Sequence, residues 1–404
     1  MPVRLNSIPD AEPYPKPPAR VKWLSALLLM LSSGVALTSL FANDELAKNG
    51  SYFWGLACGI PAFIWSLAAS IRWLVFMTQY VRAAAWNQRR EEVILQETRR
   101  GRRALQILSL SVQTALNGDS LAETSMDFLA RKQMLSTYSV LRGENTVRRS
   151  VIPVLTDQPV TKRLPEIFSR LFGDIRPQLC RLSDDFHINV LLEVNVPLSE
   201  LVVMDTWMNE WQKAGFPKVR LFSSPERGLV AIDDWLDNYI QEKAVLLIIS
   251  VRLEPENPEL TAESATALLL ANRLTQTVLT PLALLHRPER VTSVESIAAD
   301  VAQALDWMPV SPDTVTGTWL AELTIEHRAA LLSLNQPFAE EGALYELDAF
   351  LGRSGPAAPW LSVSSATLAA IHSRKPQLAL SCAQDGEYLW AAVVSPFDSP
   401  QEAS

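Results

Sequence analysis

The sequence predicts a layered α/β domain preceded by an N-terminal two-helix transmembrane hairpin, and three observations predict it. Residues 23–43 and 51–71 contain no charged side chain, and each stretch is long enough to cross a bilayer core at about 20 residues per span. Residues 244–251 (AVLLIISV) form a branched apolar run without polar alternation, the pattern of a strand covered on both faces, and residues 265–271 repeat that character. From residue 186 onwards helical periodicity alternates with such runs, which is the order of an α/β domain.

Composition narrows the function classes. The chain has 404 residues, of which 48% are hydrophobic, enough for a large core. Its net charge of -8 argues against a nucleic-acid surface, because phosphates are neutralised by clustered Lys and Arg in excess. The three cysteines, Cys58, Cys180 and Cys382, are widely spaced and lack a CxxC, so neither a disulfide framework nor a metal site is indicated. No glycine-rich lysine loop for phosphate occurs, and no cofactor is expected.

In chain order, residues 1–20 are rich in proline without apolar periodicity and are expected to be a disordered tail. Residues 21–81 make the hairpin, with tryptophans 54, 65 and 73 suited to the interfaces and Arg72 placed to snorkel. Cleavage as a signal peptide fits poorly, since Ala42, Asn43 and Asp44 are a weak small-residue site and a second span follows at once. Lys16, Arg20 and Lys22 precede the hairpin and seven arginines between Arg82 and Arg103 follow it, whereas the loop holds Lys48 against Asp44 and Glu45. That bias places both termini and the main domain in the cytoplasm, with the lipid bilayer as one partner.

Residues 82–135 read as a helical connector, one helix to about Leu116 and a second over 120–137, and residues 136–396 as the α/β domain before a tail at 397–404. Residues 138–155 suggest a strand with a turn at Gly143; a helix near 164–172, a strand over 186–196 and a helix over 198–213 follow. The core of the domain is residues 217–271. A short strand at 219–222 leads through Ser223, Ser224, Pro225 and Glu226, a capping sequence, into a helix whose buried stripe is Leu229, Ile232, Trp235, Leu236, Tyr239 and Ile240. The strands 244–251 and 265–271 come next, then a helix over 293–307, a strand and turn over 313–318, a helix over 351–373 and two closing strands.

This order of elements, with the strand AVLLIISV, the run ESATALLLA, a Gly317-Thr318 turn and a helix led by Gly352, resembles the thiolase/β-ketoacyl synthase superfamily over residues 133–396. The resemblance implies a cysteine nucleophile at the helix start after residue 222 and two histidines, or a histidine and an amide side chain. Matching positions hold Ser223 or Ser224 in place of the cysteine, Thr314 at the first histidine and Arg353 at the second. A hydroxyl is a weak nucleophile unless a base activates it, so the resemblance implies a catalytically silent domain. The remaining histidines, His187, His286, His327 and His372, do not pair by spacing, and the Asp184-Asp185 and Asp233-Asp234 pairs read as a turn and a solvated helix face.

A two-span anchor bearing such a domain is also similar to accessory proteins of bacterial secretion machines, the type VI lipase-adaptor family. That similarity implies an adaptor whose protein partners are a secreted effector and a spike protein. An acyl-thioester or lipid-pathway enzyme using Ser223, and a structural subunit of an envelope complex, are the other readings. Charged Lys218 and Arg220 suit an edge strand at 219–222, and residues 82–137 are expected to cover it and keep the domain monomeric.

Overall fold

The protein is described by a computed structural model covering residues 3, 5, 8–41, 49–116, 118, 120–139, 146–224, 226–308, 311–382 and 388–397. It divides into two compact units, Arg4–Thr98 and Arg99–Ser404 with Met1–Val3.

In the first unit, α1 (Arg20–Phe41) lies antiparallel to α2 (Gly50–Gly101), which contains one wide π-type turn at Gly55–Gly59. Both helices are long and apolar enough to cross a membrane. They approach closely where a side chain on Gly34 would stand 2.3 Å from the Ala57 carbonyl oxygen, the small-residue contact common between spans. Trp65 Nε1 donates to the Trp23 carbonyl at 2.9 Å. Leu28, Leu40, Phe41, Tyr52 and Phe63 are largely exposed, a surface suited to hydrocarbon. The proline-rich tail departs from expectation. Residues 9–14 lie along α2, held by hydrogen bonds from Trp86, Asn87 and Arg90, because an extended backbone with solvated carbonyls accepts wherever donors are aligned. The loop between these two helices and the turn at Gly143 fall outside the described residues.

The second unit begins with β1 (Ala104–Gln113), α3 (Leu121–Leu129), β2 (Ser136–Ser139), β3 (Thr146–Ser150), α4 (Val160–Leu179), β4 (His187–Asn195), α5 (Glu200–Lys213), β5 (Val219–Leu221), α6 (Val230–Asn238), β6 (Ala244–Arg252), β7 (Thr261–Ala262) and β8 (Ser264–Asn272). There follow β9 (Ala283–His286), β10 (Glu289–Val291), α7 (Ile297–Trp307), β11 (Gly317–Ala321), α8 (Ile325–Leu332), β12 (Leu344–Glu346), a single turn α9 (Leu347–Phe350), α10 (Ala358–Ser373), β13 (Gln377–Cys382) and β14 (Leu389–Pro396).

The main sheet runs β12-β11-β13-β14-β9-β1-β8-β6-β4-β5, with β10 beside β14, and it is built twice over. In the first half β4 pairs parallel with β5 and β6, β6 antiparallel with β8, and β8 antiparallel with β1. In the second half β11, β12, β13, β14 and β9 repeat that pattern, and β1 joins β9 antiparallel at the centre. α6 and α10 are the corresponding helices, each leading into the middle strand of its half. With α3 they share one core with residues from both halves of the sheet, while α4 and α5 cover the other face of the first half and α7 and α8 that of the second. α10 is buried all round because Ala358–Ala370 has no charge, and its Ser365 and Thr367 return their hydroxyls to the Leu361 and Val363 carbonyls.

Two expectations about the connector are corrected. Residues 104–113 are not a helix but the central strand of the sheet, so the second unit starts well before residue 136. Leu105, Leu108 and Val112 fit a helical stripe, yet every residue of the segment is buried, which only a strand covered on both faces allows here. Nor does the segment cover β5, since α3 packs on α10, where Ser125 donates to the Leu368 carbonyl. Among the described residues β5 ends the sheet, paired to β4 alone.

Candidate functional site

The C-terminal ends of the parallel strands and the starts of α6 and α10 form one polar region. At the end of β4, Glu193 accepts the Gly228 N–H at 3.0 Å on one carboxylate oxygen and Trp360 Nε1 at 2.7 Å on the other. Just past β11, Glu322 accepts the Gly355 N–H at 2.6 Å on one oxygen and Arg353 Nε and Nη2 at 2.9 and 2.7 Å on the other. The two arrangements correspond through the internal repeat. In each half a carboxylate closing the first parallel strand binds the N–H of a glycine with positive φ, 77° at Gly228 and 52° at Gly355, that leads the central helix. The spacings are also alike, at 35 and 33 residues.

Glu322 itself adopts a left-handed φ of 57°, a conformation that costs a non-glycine residue about 1–3 kcal/mol and that persists where surroundings impose it. Its own N–H is held by Asp348 Oδ2 at 2.8 Å. Burial, followed by the like charge of Glu322, raises the Asp348 carboxyl to about 7, while its buried Oδ1 has no hydrogen-bond partner among the described residues. Burial likewise raises Glu193 against the opposing bonds from Gly228 and Trp360. Arg252, at the end of β6, donates to the Arg353 carbonyl at 2.9 Å and is lowered by burial; Arg353 is raised by its bond to Glu322.

A pH dependence follows with a definite sign. Between the ordinary value of 3.8 and about 7 the native state holds a proton on Asp348 that the unfolded chain releases, so stability falls as pH rises through that window. The penalty is absent below the window and complete above it. Asp348→Asn is expected to keep the bond to Glu322 and to shrink the difference in denaturant midpoint between pH 5 and pH 8; an unchanged difference in that variant would count against a neutral Asp348.

The residues singled out from sequence are only partly gathered here. Ser223 is exposed and Ser224 half-buried, both on a groove of about 500 Å³ that also includes Glu193, Val194, Met204 and Phe222. Neither caps α6, which begins at Val230 after Leu229 with no side-chain cap, because Gly228 and Glu193 make the entry. Arg353 stands at the start of α10 in the polar region. Thr314 does not: its Oγ1 donates to the Ser311 carbonyl at 2.7 Å before β11 begins, and five strand residues, roughly 17 Å, separate it from Glu322. The strand expected over 313–318 lies later, at Gly317–Ala321, so Glu322 rather than Thr314 stands at the strand end facing Arg353.

The histidines lie elsewhere. His286 is in β9, its Nε2 2.9 Å from Ser395 Oγ, and burial lowers it to about 4. His327, on α8, is 3.7 Å from Cys382 Sγ, but burial lowers the imidazole and raises the thiol to about 12, so the pair favours its neutral form. The hydrogen bonds of these histidines reach neither Ser223 nor Ser224. Asp233 is not on a solvated face; it is buried in an ion pair with Arg287, which also binds Asp237 at 2.5 Å. Asp237 in turn binds Arg100, and the two arginine hydrogen bonds outweigh desolvation and hold its carboxyl well below the usual range. Glu193, Glu322, Asp348 and Trp360 escaped the sequence reading, although a strand ending in Glu with a helix-leading Gly some 34 residues later occurs twice.

By sequence, no protein family and no curated protein matches this chain. By structure, it is similar to a chain from a type II polyketide synthase acyl-carrier protein in complex with its ketosynthase bound to the hexaketide, with a TM-score of 0.52 and 14% identity over 73% of this chain and 100% of that one. Acetamide-bound OleA from Xanthomonas campestris gives a TM-score of 0.43 at 11% identity over 72% and 99%, and the C-terminal type III polyketide synthase domain of Steely1 from Dictyostelium 0.46 at 10% over 72% and 99%. At such identities the likeness is one of fold, and the second unit is a thiolase-like layered α/β domain.

Proposed function

We propose that this chain is an inner-membrane-anchored, catalytically silent thiolase-like protein that works by binding other proteins, as an adaptor of a type VI secretion system that recruits an effector to the spike. The observation that carries the silent reading is the occupation of both central-helix starts by Glu193 and Glu322. Acyl transfer on this fold would need donors free to meet a developing oxyanion; here a carboxylate already takes the N–H that leads each helix, and a second negative charge beside it is repelled. Arg353, at the position matching the second histidine, is tied to Glu322. What is left is a stable scaffold on an anchor, which suits a recruiting role.

The competing reading, an acyl-thioester enzyme using Ser223, is favoured by the groove beside the serines, which Val194, Met204 and Phe222 help to line, and by the buried Ser224 Oγ, which has no hydrogen-bond partner among the described residues. Two measurements on the full-length protein in detergent separate the readings. Affinity capture followed by mass spectrometry is expected to return an effector and a spike protein, and acyl-carrier protein in their place would overturn the adaptor role. Acyl-thioester turnover is expected at background; turnover that disappears in Ser223→Ala would establish the enzyme. Residues 104–113 belong in any soluble fragment used for the same assay, because β1 is central.

The hairpin places both termini in the cytoplasm under this reading. Arginines on both flanks support it, as do the contacts of residues 9–14 with residues 80–90 of α2, which require both segments on one side of the bilayer. A cysteine substituted at Asn49 should react with an impermeant maleimide added to whole spheroplasts, and one at Ala11 should not; the reverse result would invert the topology.

A further inference from the structure

The tail and α2 meet through chemistry that reads an extended backbone. Asn87 spans a single residue, accepting the Glu12 N–H on Oδ1 at 2.8 Å and donating from Nδ2 to the Glu12 carbonyl at 3.0 Å. Arg90 Nε donates to the Pro9 carbonyl at 2.7 Å and Trp86 Nε1 to the Asp10 carbonyl at 3.3 Å. Tyr14 lies against Tyr80 with ring centroids 5.3 Å apart, and Glu12 sits 3.9 Å from Arg82. Tyr80, Asn87 and Arg90 recur at helical spacing, so one face of α2 presents an aromatic ring and a ladder of donors. A proline-rich segment in the polyproline conformation offers the complement: carbonyls not used internally, few N–H groups and a low entropic cost of docking.

From this match we infer that the Tyr80–Arg90 face of α2 is a receptor site for a proline-rich, acidic segment of another protein, and that the chain's own tail occupies it at rest. The occupant's chemistry is displayed by the tail itself. Prolines keep it extended, its carbonyls meet Trp86, Asn87 and Arg90, and an acidic side chain faces Arg82. Because the tail is joined to α1, it competes at an effective concentration on the order of millimolar, and a partner segment enters only when the tail is loosened or outcompeted. This surface lies in the first unit and is independent of the reading given above for the thiolase-like domain.

The test uses the full-length protein in nanodiscs and a fluorescein-labelled peptide of the tail sequence SIPDAEPYPKPP, followed by anisotropy. The double variant Glu12→Arg/Tyr14→Ala loosens the resident tail and is expected to bind the peptide at least tenfold more tightly than the unaltered protein. Adding Asn87→Ala is expected to return binding to the weak level, with helix content unchanged by circular dichroism. A peptide with each proline replaced by alanine should bind at least tenfold more weakly. Equal binding by the unaltered and loosened proteins, tight binding retained with Asn87→Ala, or indifference to the prolines would each overturn the assignment.

Discussion

Arg287→Ala is expected to lower the stability of the second unit by about 3–5 kcal/mol, the usual consequence of removing one partner of a buried ion pair. Arg287 is fully buried between β9 and β10, and its guanidinium serves Asp233 and Asp237 together. Without it the buried Asp233 carboxylate loses that guanidinium, and Asp237 retains Arg100 and Arg103. For a unit of this size the thermal midpoint should fall by on the order of 10 °C. Arg287→Lys should recover part of the loss, since an ammonium keeps the charge but cannot bridge two carboxylates with a planar fork. Calorimetry on the three proteins decides the matter, and a midpoint for Arg287→Ala within 2 °C of the parent, about the shift that 1 kcal/mol makes at this size, would show that the pairs carry little net stability.

Trp360→Ala should cost about 3–5 kcal/mol, in the range for removing a buried aromatic side chain. This indole is fully buried in the first turn of α10 and also donates to Glu193. Trp360→Phe separates the two contributions. The ring retains most of the packing while Glu193 loses a donor, a smaller loss of about 1–3 kcal/mol. Burial already raises Glu193, so removing a bond that lowers it should raise it further, and the Phe variant should lose more stability at pH 8 than at pH 5. A loss independent of pH would mean that packing alone explains the substitution.

What the sequence disclosed was whatever one segment decides by itself. Ala244–Arg252 and Gln377–Cys382 are strands because branched apolar residues fill both faces, and the two long apolar helices declare themselves by length. β1 reads as helix in sequence because its apolar residues sit at spacings that also suit a helix, directly after a long helix. Only its neighbours β8 and β9, distant in the chain, choose between the two. Roles that depend on remote partners were equally hidden. Asp233 looks solvated until Arg287, 54 residues on, is placed beside it. Glu322 looks like an ordinary strand-end carboxylate until the Gly355 N–H arrives from 33 residues later. Proline content in the tail points to disorder in sequence, although the missing N–H groups also make a segment easy for Trp86, Asn87 and Arg90 to hold.

The central position of β1 has a consequence for biosynthesis. Leu105 finds its partners at Asn272 and Leu285, 167 and 180 residues further along the chain. At about 5–20 residues per second, a ribosome takes roughly 10–40 s to deliver them. During that interval ALQILSLSVQ has emerged with both apolar faces bare and both edges unpaired, near other nascent copies. Such a strand is an aggregation hazard for as long as it waits. Yield of this protein should therefore depend on chaperone supply and on translation speed between codons 114 and 285 more than on the stability of the finished fold.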